Sequence, residues 1–346
     1  MFPAIAVAEA LGRIDPEGQV LYVGRRGGME EKLVPGYGIR LETIVPPKLD
    51  MEQLWRNWAV PFVLPRALLQ ASRIVSRFRP QVVLGTGGYV SAPVIMAAAL
   101  RRVPVVLQEQ NALPGRTTRL LSRFARVVAT AYPQSAAYLR AEAVVTGTPL
   151  RREFARRRAG FPERPRRLLV LGGSQGAHRI NQAVLAALPQ LVAELGLDVE
   201  HQTGERDFVS VDEAATSLGP SIAAGYHPFP FATDLAARIY SADLVLARAG
   251  AGTLSEVSAA GIPMVLVPGP FAGGHQKLNA IPYAEAGAVL VIPDEDCEGP
   301  RLTEVVTSIA SDSDRYARMV AAMKALGKPE AADAVARLLQ AVGGRN

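Results

Sequence analysis

Three glycine-rich turns, each following a run of Val, Leu and Ile and each leading into a helical pattern, carry the chemistry most readily read from this chain. The first is Gly85-Thr86-Gly87-Gly88, before a helix beginning near Ala92. The second, Gly172-Gly173-Ser174-Gln175-Gly176, sets a hydroxyl beside exposed amides. The third places Gly250 and Gly252 before a helix, with Glu256 expected in its first turn. Glycine removes side chains and tolerates positive φ, so backbone N–H groups and a helix N-terminus can face an anion or a sugar hydroxyl. The second turn therefore reads as a diphosphate cradle. Glu256 suits a pair of adjacent hydroxyls, such as a ribose diol, though a carboxylate there also interacts favourably with the helix dipole. Taken singly, each turn is equally compatible with a tight connection.

Other chemistries are disfavoured. No turn has the spacing G-x-x-x-x-G-K-[ST], and no G-x-G-x-x-G follows a first strand, so a phosphate-hydrolysing P-loop and a dinucleotide fingerprint are both missing. His178, His201, His227 and His275 form no H-E-x-x-H pair, and Asp294 and Asp296 match D-x-D only as letters in an acidic loop. No structural or obligatory protein-bound metal is expected. The single cysteine, Cys297, excludes a disulfide framework and points to a reducing, cytoplasmic compartment. No apolar run reaches the roughly 20 residues of a membrane span.

The elements that must position these turns alternate. At 346 residues and 49% hydrophobic, the chain has the size of two domains. Strands are expected at Val20–Gly24, Val82–Gly88, Val103–Leu107, Val127–Thr130 and Ala143–Gly147, then again from Arg167, at Leu197–Gly204, Ser221–Tyr226, Asp243–Gly250, Pro263–Pro268 and Ala288–Pro293. Their apolar runs do not alternate, which predicts strands buried on both faces of parallel sheets covered by helices. The fold class is α/β, with two Rossmann-like domains facing a cleft. Domain limits are expected at 1–149, a linker over 150–165, a second domain over 166–320, and a C-terminal helix over 321–346 that packs back toward the first domain. Met1–Leu11 reads as a helix that should follow a strand and a phosphate-binding turn.

Two segments depart from simple alternation. Residues 51–79 hold Trp55, Trp58, Phe62 and Phe78, with four arginines and no acid from Arg66 to Arg79. This composition suits either a bilayer interface or ordinary interior packing. Between Arg151 and Arg167 lie eight arginines against two glutamates, an excess equal to the whole net charge of +6. Such a run is either a solvated linker face or an attraction for phosphate or lipid.

With Gln108-Glu109-Gln110-Asn111, LGGSQGA, RAGAGTLSE and GGHQKLNA in that order, the chain closely resembles the MurG family over essentially its whole length. These are the UDP-N-acetylglucosamine–N-acetylmuramyl-(pentapeptide) pyrophosphoryl-undecaprenol N-acetylglucosamine transferases. The resemblance implies a glycosyltransferase B fold, with the donor UDP-GlcNAc bound chiefly by the second domain and the lipid acceptor by the first. It implies inverting transfer of GlcNAc to the C4 hydroxyl of MurNAc in lipid I, giving lipid II and UDP in peptidoglycan synthesis. The protein would act peripherally at the cytoplasmic face of the membrane, on an anionic surface, beside other cell-wall synthesis proteins, and without nucleic acid or an obligatory cofactor. By motif match, Ser174 and the adjacent backbone would hold the diphosphate, with Asn181 supporting them and Arg151 approaching it. Glu256 would bind the ribose, Phe231 would cap the uracil and the Ala232 backbone would read its edge. Ala251 and Gly252 would pass close to the phosphates, with Arg248 shaping that turn. His275, Gln276 and Asn111 would reach the GlcNAc. On the acceptor side stand Gly87, Gly88, Tyr89, Gln108 and Glu109. The region around Trp55 to Arg79 resembles the family's membrane-docking segment.

Three departures matter. Gln108 stands where the family has histidine, and an amide cannot act as a base near neutral pH. Thr148, in GTPLR, replaces the usual asparagine. The family motif G-G-T-G-G-H, expected immediately before Met1-Phe2-Pro3, does not appear, so the first domain is expected to lack its first strand. That motif's histidine is the usual candidate for activating the acceptor hydroxyl, which leaves the general base unassigned. The expectation is that the sequence starts inside a longer chain. A silent nucleotide- or lipid-binding homologue and a B-fold transferase of other specificity are the competing readings.

Overall fold

Long apolar runs with little alternation form two sets of parallel strands in the computed structural model, which describes residues 1–46, 60–173, 176–270 and 274–344. Trp55, Trp58 and Ser174 lie outside the described residues. The chain divides into two units, Met1–Arg152 with Glu330–Asn346, and Glu153–Pro329.

The first unit begins with α1 (Phe2–Ile14) and β1 (Leu21–Arg25), followed by α2 (Glu30–Leu33), β2 (Arg40–Ile44) and α3 (Val60–Phe78). Then come β3 (Val83–Gly85), α4 (Ser91–Leu100), β4 (Val105–Glu109), α5 (Arg116–Leu121), β5 (Val127–Thr130) and β6 (Glu142–Val145). Its strands form two parallel sheets, β1-β2 and β3-β4-β5-β6. Only β4 and β5 are buried along their whole length; β1 and β6 carry exposed residues, against the expectation of strands covered on both faces. β2 was not expected: its sequence, RLETI, is half polar and lacks the apolar run that marks a central strand.

The second unit contains β7 (Arg167–Leu171), α6 (His178–Leu188), β8 (Asp198–Gln202), α7 (Phe208–Ser217), α8 (Pro220–Ala223), β9 (Tyr226–Phe229) and α9 (Leu235–Ser241). It continues with β10 (Leu244–Ala247), α10 (Ala251–Ala260), β11 (Met264–Leu266), α11 (His275–Glu285), β12 (Val289–Val291), α12 (Gly299–Ala310) and α13 (Ser313–Leu326). All six strands are parallel, in the order β12-β11-β10-β7-β8-β9. The expected strand at Ser221–Tyr226 is instead the short helix α8 followed by β9. Gly219 at φ 102° turns the chain and Pro220 sits where a helix accepts it. The core forms where Leu168 and Val170 of β7 meet Ile180, Val184 and Leu188 of α6, joined by Leu302 and Ile309 of α12. The last helix, α14 (Ala331–Gly343), returns to the first unit. Its Ala332, Val335, Ala336 and Leu339, spaced for one helical face, pack with Ala6, Val7 and Ala10 of α1.

Three residues of the arginine run belong to the packing of the second unit. Arg158 pairs with Asp243 at 2.8 Å, and that carboxylate also accepts from the N–H groups of Arg166 and Arg167 at 2.9 and 3.0 Å. Asp243 is 3% exposed, so these donors offset the cost of burying its charge. Arg157 donates to the carbonyls of Lys324 and Gly327 at 2.6 and 3.2 Å, closing the end of α13. Arg156 lies 4.2 Å over the Tyr240 ring.

Candidate functional site

The order of the second sheet reverses between β7 and β10, because β8 and β9 are added on one side and β10 to β12 on the other. Loops diverge at such a point and leave a crevice beyond the carboxyl ends of the strands. The second and third glycine turns emerge there, after β7 and β10 respectively.

Packing fixes the second turn against β8. A Cβ on Gly172 would stand 2.8 Å from the Gln202 carbonyl oxygen, and one on Gly176 only 2.4 Å from that of Thr203. Gly173 and Gly176 also have φ of 76° and 74°, which only glycine adopts without strain. The third turn differs. A Cβ on Gly250 or Gly252 would meet no described atom within 4 Å, and neither has a positive φ. Among the described residues, neither packing nor backbone geometry calls for glycine at these two positions. In the first unit, a Cβ on Gly85 would press on the terminal methyls of Ile95 and Leu107 at 2.6 and 2.9 Å, so alanine there would need those side chains to shift.

A buried polar chain supports the start of α6. Asn181, fully buried, donates from Nδ2 to the Thr203 carbonyl and to Asp207, both at 3.0 Å. Its Oδ1 accepts from His201 Nε2 at 3.1 Å, so Nδ1 of that ring accepts from the Tyr226 hydroxyl at 2.8 Å. Burial lowers the His201 pKa from 6.5 to about 3 and keeps the ring neutral. The folded protein then binds fewer protons than the unfolded chain below pH 6.5. Stability is fully present above that pH and falls as pH drops toward 3, by about 1.4 kcal/mol per unit from this group. Urea midpoints at pH 6.5 and 5 should show this slope in the parent and lose it in His201→Gln; an equal slope in both would assign it elsewhere.

Arg248 leaves β10 and bonds the Val267 carbonyl at 3.1 Å and the Asp294 carboxylate, tying the ends of β10 and β11 to the loop after β12. Asp294 thus has a structural partner. Gln276 Oε1 accepts from the Gly269 N–H at 2.8 Å, which orients its amide, and buried Asn279 reaches the Ala249 carbonyl at 3.4 Å. Ala251 and Gly252 open α10, and Glu256 lies in its second turn rather than its first, because the helix starts two residues earlier than expected. His275 opens α11. Phe231, 55% exposed, and buried Ala232 follow β9. The turns at 172–176 and 248–252 flank the switch point, the 275–276 segment follows β11, and Phe231 and Ala232 stand at the far side of the sheet beyond β8. Asp207, His201 and Asn279 were not singled out as site-supporting residues. The signal available was three polar side chains inside or beside apolar runs.

In the first unit, Gly87, Gly88 and Tyr89 line a cavity of about 1200 Å³ between β1 and β3. Ser91 Oγ donates to the Gly87 carbonyl at 2.5 Å and starts α4. Both carboxylate oxygens of Glu109 hold the turn after β4. Oε1 accepts from the N–H of Gln110, the N–H of Asn111 and Asn111 Nδ2 at 2.9, 3.0 and 3.2 Å, and Oε2 from Gly115 at 3.0 Å. Glu109 therefore positions Asn111. Arg151 lies 4.4 Å over the Phe2 ring, within the same unit. Gln108 is 1% exposed, and neither amide atom has a hydrogen-bond partner among the described residues. Gln108→Met, of similar shape, should raise stability by about 1–2 kcal/mol. A lower denaturation midpoint would show that the amide holds a partner in solution.

Among the described residues, no three His, Cys, Asp or Glu side chains are grouped to hold a metal ion, and no helix is long and apolar enough to cross a membrane.

Comparison with known proteins gives a consistent result. Residues 1–130 match the model of the glycosyltransferase family 28 N-terminal domain, and residues 167–335 that of its C-terminal domain. The UDP-N-acetylglucosamine–N-acetylmuramyl-(pentapeptide) pyrophosphoryl-undecaprenol N-acetylglucosamine transferases of Desulforudis audaxviator and Moorella thermoacetica are 38% and 39% identical to this chain. These alignments cover 100% and 98% of this chain and 96% and 95% of those proteins. The crystal structure of Acinetobacter baumannii MurG superposes with a TM-score of 0.79 at 31% identity, covering 98% of this chain and 95% of that one. A UDP-GlcNAc 2-epimerase from Neisseria meningitidis, bound to UDP-GlcNAc, gives 0.69 at 12% identity over 98% and 97% of the two chains, a likeness of fold alone.

Proposed function

This chain belongs to glycosyltransferase family 28 and, within it, to the MurG transferases, and from that premise we infer that it transfers N-acetylglucosamine from UDP-GlcNAc to the C4 hydroxyl of MurNAc in lipid I. The products are lipid II and UDP. The protein works in peptidoglycan synthesis, as a peripheral protein at the cytoplasmic face of the membrane. Its acceptor is undecaprenyl-linked, so an anionic bilayer surface and neighbouring cell-wall enzymes are its expected surroundings.

The donor is assigned to the second unit. The backbone of Gly173 to Gly176, together with Ser174, holds the diphosphate, and Asn181 supports that turn from beneath. Glu256 takes the ribose hydroxyls; Phe231 and Ala232 take the uracil. Arg248 holds the third turn in shape, with Ala251 and Gly252 beside the phosphates. His275 and Gln276 face the GlcNAc hydroxyls. Asn111 and Arg151, which belong to the first unit, are assigned to the sugar and the diphosphate by motif match, and Gly87, Gly88, Tyr89, Gln108 and Glu109 to the acceptor side. The reaction is an in-line displacement at the anomeric carbon that inverts it. Charge developing on the departing β-phosphate is stabilised by the N–H groups assigned to it from Gly173 to Gly176 and by the start of α6. Bringing the weakly nucleophilic hydroxyl into line supplies a further part of the rate. The base is unassigned.

The observation that carries this reading is the pair Gly250 and Gly252, glycines for which the described residues supply no packing or conformational reason, at the mouth of the switch point. Close approach of a ligand to the backbone supplies the reason. Gly252→Ala should therefore stabilise the fold by about 0.5–1 kcal/mol, the ordinary gain for alanine in a helix, while raising the KM for UDP-GlcNAc. An unchanged KM with the same stability gain would remove this turn from the donor site. Glu256→Ala should weaken donor binding by about 1–3 kcal/mol through lost ribose hydrogen bonds, read as the UDP-GlcNAc Kd. No change in that Kd would remove Glu256 from the site.

A further inference from the structure

His178 is the first residue of α6, two residues beyond Gly176, and its side chain is 75% exposed. Its Nδ1 lies 2.9 Å from Asp207 Oδ2. A carboxylate only accepts, so Nδ1 carries a hydrogen, and Nε2 has no hydrogen-bond partner among the described residues. Asp207 stands at the N-cap of α7, where its carboxylate would ordinarily bond that helix's own N–H groups. It makes no such bond and is turned toward α6 instead. Behind it, the hydrogen bonds run in one direction from the core: Tyr226 hydroxyl to His201, His201 to Asn181, and Asn181 to Asp207. Burying these groups costs desolvation that apolar side chains of the same size would avoid, and the His178–Asp207 contact at the exposed end adds little stability. What the arrangement achieves is a fixed orientation for the exposed imidazole beside the second glycine turn.

Given the donor reading above, on which this rests, we propose that His178 is a diphosphate-binding residue of the donor site, both ring nitrogens donating, Nδ1–H to Asp207 and Nε2–H to a phosphate oxygen of the nucleotide. Asp207 acts through it as a positioning residue. Side chains in the first turn lean toward the helix N-terminus, the direction in which the glycine turn lies. The neighbouring charges leave the ring to this role. Arg179 on the same helix bonds the Asp294 carbonyl at 2.6 Å, and Arg301 and Glu304 on α12 pair with each other at 2.6 Å. From the loop before α7 come Asp207 and the exposed Glu205 and Arg206.

The test compares UDP with uridine, which share the base and ribose and differ in the diphosphate. Both are titrated calorimetrically against the full chain at about pH 6.5. His178→Ala should weaken UDP binding about tenfold and leave uridine binding unchanged; His178→Arg should restore UDP to within about threefold of the parent. Asp207→Asn should weaken UDP by a smaller factor, again without affecting uridine. Equal weakening of UDP and uridine in His178→Ala would show a structural role and overturn the proposal, as would UDP binding unaffected by that change. If the parent chain binds neither UDP nor uridine, the donor reading itself falls, an outcome distinct from insensitivity to His178.

Discussion

Gly176→Ala is expected to reduce UDP-GlcNAc affinity at least a hundredfold, about 2.7 kcal/mol, and turnover with it. The new Cβ would sit 2.4 Å from the Thr203 carbonyl oxygen at a φ of 74°, so the clash is with backbone and the conformation is itself strained. A flexible side chain could move aside; β8 and its loop cannot. Relief requires Gly176 to lift from the Thr203 carbonyl, which moves the backbone assigned to the diphosphate. Far-UV circular dichroism should remain near that of the parent, because Leu168, Val170, Ile180 and Val184 behind the turn are untouched. Unaltered donor affinity in a folded variant would mean that the turn does not hold the nucleotide.

The largest stability loss is expected from Asp243→Ala, about 3–5 kcal/mol in urea denaturation. Removing this buried carboxylate takes the acceptor from Arg158 Nη2, whose Nη1 keeps the Ala242 carbonyl, and from the N–H groups of Arg166 and Arg167. The loss spreads because Asp243 opens into β10 and the Tyr316 hydroxyl from α13 bonds its carbonyl at 3.0 Å. A loss below about 1 kcal/mol would show that the arginines find other acceptors. The effect also explains the composition of the segment after Arg151: arginine offers a fork of donors where backbone carbonyls and a buried acid converge, which lysine does not.

The parallel α/β class was legible because buried strands such as Leu244–Ala247 and Leu168–Leu171 are continuous apolar runs that lead, within three residues, to a glycine. Edge strands were harder. Arg40–Ile44 mixes charges with apolar residues, and Ser221–Tyr226 looks like a strand by composition until Gly219 and Pro220 are read as a turn and a helix start. Glu256 was misplaced by a turn because α10 begins at Ala251, directly on the glycine motif.

Local motifs marked the glycine turns, since their chemistry is carried by residues a few positions apart. The groups that support them come from distant strands. His201 and Asn181 meet only when β8 and α6 pack, and Asp207 is recognisable as a support only once its carboxylate is seen to turn away from its own helix. Likewise, the arginines at 156–158 were ambiguous as a string of like charges. Their partners Tyr240, Asp243, Lys324 and Gly327 are 84 or more residues away along the chain.

The direct measurement is transfer itself: the chain incubated with UDP-[14C]GlcNAc and lipid I in detergent micelles, with the lipid and water-soluble products separated and identified. Label should move into a lipid carrying a β-linked GlcNAc–MurNAc disaccharide, with one UDP released per sugar transferred. Intact binding of UDP-GlcNAc with all label left in water-soluble species, whether unreacted donor, free GlcNAc or an epimerised sugar, would contradict the transferase account.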